Sequence, residues 1–133
     1  MRYIDIEFAG AGGTPVVSER VASVFRDLAP SDVQLFPVEV EGESRPYFIL
    51  NVARTICCID DAACEEVEIR TAEDYAERVG EYRSVIGLKI DKSKVGNARV
   101  FRTWGWSPPI IVDEGIKDAL EANGIFGGKF EVV

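Results

Sequence analysis

Apolar and polar residues alternate at the start of the chain, with Ile4, Ile6 and Phe8 on one side and Tyr3, Asp5 and Glu7 on the other. A period of two predicts a short, half-buried strand over residues 3 to 8. The AGAGGT stretch at 9 to 14 is too rich in glycine for a helix or a central strand and predicts a flexible turn. From Ser18 the period changes. Val21, Val24, Phe25 and Leu28 fall at the spacing of one buried helical stripe. Ser18 suits the N-cap, Glu19 faces the positive end of the helix dipole, and Pro30 forbids continuation.

Two β-rich runs follow, residues 33 to 40 and 47 to 52, and the intervening EGESRP predicts a hairpin. Residues 60 to 66 are acidic and lack a clean period. Thr71, followed by Glu73 and Asp74, predicts a short capped helix carrying Tyr75, Val79 and Tyr82 on one side. Residues 85 to 90 and 99 to 104 read as strands around a turn at KSKVGN, and Pro108-Pro109 is expected to break any ladder before residues 110 to 112. Asp113 opens the last helix, with Ile116, Ala119 and Leu120 inward and Gly124 as its stop, and residues 129 to 133 form a terminal strand.

The segments PVVSERVASVF (15 to 25) and IIVDEGIKDAL (110 to 120) share one grammar. Each has a β-branched run, a capping residue, a glutamate, and apolar positions at matching helical offsets. Val17, Ser18, Val21 and Phe25 superpose on Val112, Asp113, Ile116 and Leu120. Two copies are too few for a solenoid and imply pseudo-symmetry or a shared local grammar within one domain. The expected architecture is a single α+β domain over residues 1 to 133, with two main capped helices packed against a largely antiparallel sheet.

Composition narrows the function. The 133 residues include 47% hydrophobic ones, enough for a real core. Acidic residues outnumber basic ones 23 to 15, a net charge of -8 that repels phosphate backbones and anionic lipid surfaces. Nucleic acid and membrane are therefore excluded as expected partners, whereas a basic protein would be steered inward. No apolar run reaches the roughly 20 residues of a membrane span, and acids occupy the place of a signal peptide's apolar stretch. A cytoplasmic protein is expected. Cys57, Cys58 and Cys64 are odd in number and badly spaced for a disulfide framework, and read as free thiols.

The chain has no histidine, which removes Ser-His and Cys-His nucleophile pairs and imidazole metal ligands. The CC-x5-C spacing lacks the paired C-x2-C of structural zinc sites. Asp60, Asp61, Glu65 and Glu66 lack a ligand loop of the EF-hand type and read first as a solvated loop. AGAGGT matches neither a phosphate loop nor a dinucleotide turn. No cofactor, metal or catalytic residue is expected. The most distinctive segment is FRTWGWSPP, residues 101 to 109, where Trp104, Trp106 and Arg102 are of the types enriched at binding hot spots. Core packing of the tryptophans and a bulge at Gly105 are the competing reading.

Taken in order, PVVSERVASVFRDLAP (15 to 30), VQLFPVEV (33 to 40), YFILNV (47 to 52), CID (58 to 60), LKIDKSKVGNARVFRTWGW (88 to 106) and IIVDEGIKDALEANGIFGGKFEVV (110 to 133) resemble the immunity proteins of bacterial polymorphic-toxin systems, a myxobacterial-type family formerly described as a domain of unknown function. Residues 1 to 14 match less clearly, and the chain resembles a short form. The resemblance implies a non-catalytic antitoxin that binds a cognate protein toxin in the cytoplasm. It supplies no motif of contact residues. Chemistry nominates Trp104, Trp106 and Arg102 as aromatic and cationic contacts and Asp60, Asp61 and Glu65 as acidic ones. Two other classes stay open. A carboxylate- or cysteine-based enzyme predicts a deep pocket of acids with displaced pKa values, and a structural or adaptor subunit predicts a broad apolar patch or a symmetric self-contact.

Overall fold

In a computed structural model that describes residues 3–7, 14–73, 76–124 and 129–133, ten strands and two helices follow one another along the chain. The first half holds β1 (Tyr3–Glu7), β2 (Val16–Ser18), α1 (Glu19–Leu28), β3 (Val33–Val38), β4 (Tyr47–Val52), β5 (Thr55–Ile56) and β6 (Glu66–Ile69). The second holds β7 (Tyr82–Ile86), β8 (Val100–Thr103), β9 (Trp106–Asp113), α2 (Glu114–Ala122) and β10 (Lys129–Val132). The glycine-rich segment at 9 to 13 lies outside the described residues, as do the side chains of β1.

The two segments of matching grammar fold alike. Ser18 and Asp113 are both N-caps in extended backbone, and each side chain accepts a hydrogen bond from the amide three residues on, Val21 N at 3.4 Å and Ile116 N at 2.9 Å. Each cap satisfies an amide that the helix itself leaves unpaired. Below the caps, Val21, Val24 and Phe25 on α1 and Ile116 and Leu120 on α2 are buried in one core. Full burial of a side chain such as Phe25 or Leu120 contributes about 1.5–3 kcal/mol.

The strands form a five-stranded sheet in the order β10-β1-β9-β8-β5, a three-stranded sheet β2-β4-β3, and the hairpin β6-β7. All pairings are antiparallel except β5 with β8. The hairpin read from EGESRP is the β3-β4 pair. Alternation along β8 and β9 divides the interior. Val100, Ile110 and Val112 join the helices and the three-stranded sheet, whereas Phe101 and Ile111 point to a second core with Cys58, Ile90, Val95 and Ala98. The central sheet therefore has an apolar layer on each face.

Three expectations are corrected. The prolines do not end a ladder: β9 runs through Pro108 and Pro109 because they occupy an irregularity in its pairing with β8, where the register jumps from Phe101↔Ile111 to Thr103↔Trp106. No ladder amide is required of them there. The helix expected after Thr71 is a single 3-10 turn, Ala76–Arg78, and Tyr82 belongs to β7; Tyr75 lies outside the described residues. The strands expected over 85–90 and 99–104 do not pair with each other, since β7 pairs with β6 while β8 pairs with β9 and β5. KSK forms a 3-10 turn capped by Asp91, which accepts from Ser93 N at 3.0 Å.

A polar network ties these parts together. The Asp113 carboxylate is fully buried; besides capping α2 it accepts from Arg99 Nε at 2.5 Å and Nη2 at 3.3 Å. Arg99 Nη1 donates to Leu28 O at 2.9 Å, at the C-terminal end of α1. Asp32, also buried, accepts from the amides of Arg99 at 2.8 Å and Val100 at 3.2 Å and pairs with Arg54 at 3.3 Å. The guanidinium packs closely over Gly115, where a Cβ would lie 2.9 Å from Arg99 Nη2 and would push that end of the side chain aside. At the other end of the helix pair Arg20 donates to the Asn123 carbonyl. The two helices are thus cross-tied at both ends by arginines.

Asp113 is buried but the Arg99 side chain is 36% exposed, so solvent screens much of the charge left behind when the carboxylate is removed. Asp113→Ala should lower unfolding free energy by about 2–3 kcal/mol in urea melts, through the lost cap and the lost charge-assisted hydrogen bond. Ser18→Ala should cost about 1 kcal/mol, since it loses a cap alone. Equal losses would show that the Arg99 pair adds nothing beyond capping.

Candidate functional site

The sequence TWGW makes a tight turn between β8 and β9. Thr103 pairs with Trp106, and Gly105 adopts φ 79°, a left-handed conformation that disfavours a side chain. The turn packs on β7. Tyr82 N donates to Gly105 O at 3.0 Å, and a Cβ on Gly105 would come within 3.1 Å of the Tyr82 ring. Thr103 Oγ1 donates to the Trp106 carbonyl and closes the turn. Neither tryptophan belongs to either core: Trp104 is 44% exposed and Trp106 is half-buried.

Both tryptophans face a cleft of about 380 Å³ between this turn and the far end of the β6-β7 hairpin. Arg70, Arg78, Glu81 and Tyr82 line it from the hairpin, and Arg102, Ser107 and Pro108 from the β8-β9 side. Arg102 is held across the irregularity beside the prolines, its Nη1 donating to the carbonyls of Ser107 at 2.6 Å and Pro108 at 3.3 Å. Burial lowers its pKa. Arg78 pairs with Glu81 at 2.8 Å. Arg70 Nε is buried with no hydrogen-bond partner among the described residues. In a chain of net charge -8, three arginines and one glutamate therefore line the cleft.

A family model for immunity proteins, Imm11, matches residues 3–133. The chain belongs to the Imm11 immunity protein family. No curated protein matches it. The family match takes in β1, which the motifs quoted above do not reach.

In this immunity protein the three nominated acids lie in the irregular segment between β5 and β6. Asp61 accepts a hydrogen bond from the Tyr82 hydroxyl. Asp60 accepts from Ala63 N at 3.2 Å, and its own amide donates to Lys89 O at 2.9 Å. Glu65 packs against Gly87, its amide donating to Gly87 O at 3.4 Å. Trp104, Trp106 and Arg102 are thus gathered in one cleft; of the three acids Asp61 alone is tied to it, through Tyr82, whereas Asp60 and Glu65 bond toward Lys89 and Gly87. Arg70, Arg78 and Glu81 were not nominated from the sequence; only the β6-β7 pairing carries them to the tryptophans.

The cysteines are free, Cys57 exposed and Cys58 and Cys64 buried. Lys89 N donates to Cys64 Sγ at 3.3 Å. Burial, and secondarily the neighbouring Cys57, pushes the Cys58 thiol up to about 11. Cys58 is therefore a protonated core side chain at neutral pH. Among the described residues no three Cys, Asp or Glu side chains converge as metal ligands would, and no helix is long and apolar enough to cross a membrane.

Tyr82 titrates well above the ordinary phenol range, first because it is buried and then because it donates to Asp61. A raised folded-state pKa contributes stability that is complete below the unfolded phenol pKa of about 10 and is lost as pH rises beyond it. Phenolate absorbance should show one tyrosine lagging the others, and Asp61→Ala should bring its midpoint down. An unmoved midpoint would remove Asp61 as a contributor.

Proposed function

We propose that the chain binds and neutralises a cognate protein toxin in the cytoplasm of the cell that makes it, as a non-catalytic inhibitor. The observation that carries this reading is the immunity-family match over residues 3–133. An inhibitor of this kind needs a few rigid anchors that become buried on binding and a field that brings the partner in. Trp104 is the large aromatic of the turn that is most open to solvent, with Trp106 and Arg102 beside it, and these three are the proposed anchors. Asp60, Asp61 and Glu65 are the proposed acidic contacts, and the net charge of -8 favours approach of a basic surface.

The test begins with affinity capture of the tagged chain from its native cells at moderate salt. A single near-stoichiometric protein should co-purify, lethal when expressed alone and tolerated beside this chain. Trp104→Ala should weaken the complex by about 2 kcal/mol or more, mainly through faster dissociation. Replacing Asp60, Asp61 and Glu65 by their amides keeps the acceptor oxygens but should slow association and flatten its salt dependence. Capture of a harmless partner, or of none when the toxin's expression is verified, would overturn the reading in favour of a structural or adaptor role.

A further inference from the structure

We propose that the cleft between the β6-β7 hairpin and the β8-β9 turn takes a carboxylate group from an acidic segment of the partner protein. The inference rests on the reading that the chain works by binding a protein and assigns the chemistry of one contact. Arg70 carries the argument. Its Nε is buried and lacks an acceptor among the described residues, an arrangement that destabilises the free chain relative to one with the donor satisfied. A guanidinium edge offers two parallel donors to a carboxylate, so an acidic side chain or chain terminus, met by a rotation of the Arg70 side chain that uncovers its Nε, would satisfy the orphan donor and neutralise the charge together.

The surroundings fit the same ligand. Arg102 and Arg78 add positive charge, and Glu81 is the one carboxylate among the described lining residues, engaged with Arg78 at 2.8 Å. The tryptophans give apolar walls for the residues flanking the acid. A volume of about 380 Å³ suits a side chain with its neighbours rather than a lone ion. The cleft has the opposite sign to the molecule as a whole, so it selects locally for an anion that the long-range field does not attract. The expected partner surface is therefore basic at large with an acidic residue that seats in the cleft.

The chain contains two tryptophans and both line the cleft, so intrinsic fluorescence reports on its occupancy. The full chain is titrated with acetyl-Leu-Glu-Leu-amide, with its glutamine counterpart, and with inorganic phosphate. The glutamate peptide should give a saturable change at millimolar concentration, about tenfold tighter than the glutamine peptide. Arg70→Met should weaken it about tenfold, and Glu81→Gln should tighten it severalfold, an increase that mere loss of structure does not produce. Equal affinity for the two peptides, phosphate binding as tight as the glutamate peptide, or no saturation up to about 50 mM would overturn the proposal. Because no toxin is present, these outcomes are independent of the function proposed above. Conversely, a captured toxin that binds Arg70→Met and the unaltered chain equally well would remove the cleft contact and leave neutralisation standing.

Discussion

One guanidinium and two carboxylates hold the places where both helices, the central sheet and the three-stranded sheet meet. Asp113 must cap α2 and partner Arg99 at once, and Arg99 must reach both Asp113 and the last turn of α1. Asp32 fixes the start of β8 through two amides and the β4-β5 junction through Arg54. A buried carboxylate left short of donors is costly, so Asp32 and Asp113 favour one relative placement of the elements around them. The apolar cores supply most of the stabilisation but are permissive about angle and register. Polar groups with fixed geometry are not.

That network also sets the far end of the central sheet. Once β8 is anchored at Arg99 and Val100, its other end must deliver Thr103 and the Trp104-Gly105 turn next to β7. Tyr82 receives the turn on one side and Asp61 on the other. The cleft is thus assembled from segments about thirty residues apart in sequence, with the hairpin as one wall and the turn as the other. Its positive lining persists inside a strongly acidic molecule because the arginines are positioned by backbone pairing rather than by the overall charge.

What was legible in the sequence were the features set by near neighbours. Ser18 and Asp113 announced their helices because a cap and the stripe behind it lie within ten residues, and EGESRP announced its hairpin for the same reason. The alternation in EVEI, residues 66–69, was hidden in an acidic stretch and surfaced only through pairing with β7. Pro108 and Pro109 read as breakers because the compensating feature, Arg102 bonding the carbonyls around them, is a side-chain contact that no local pattern records. At the candidate site, TWGW and Arg102 were visible by residue type. Arg70 was not, since a lone arginine at the end of an unrecognised strand carries no signal until the fold brings it to the tryptophans.

The β8-β9 turn contributes no side chain to either core, and the tryptophans it carries are not needed to hold the sheet together. Substitution at the tip therefore leaves both apolar cores intact. Were the tip the proposed recognition surface, it could exchange its aromatics as a partner drifts, provided Gly105 keeps the turn seated against Tyr82. Such decoupling would let descendants of one ancestral chain diverge in whom they recognise while sharing a common interior. The expected mark on the lineage is then rapid change at Trp104 and Trp106 beside near-invariance at Arg99 and Asp113.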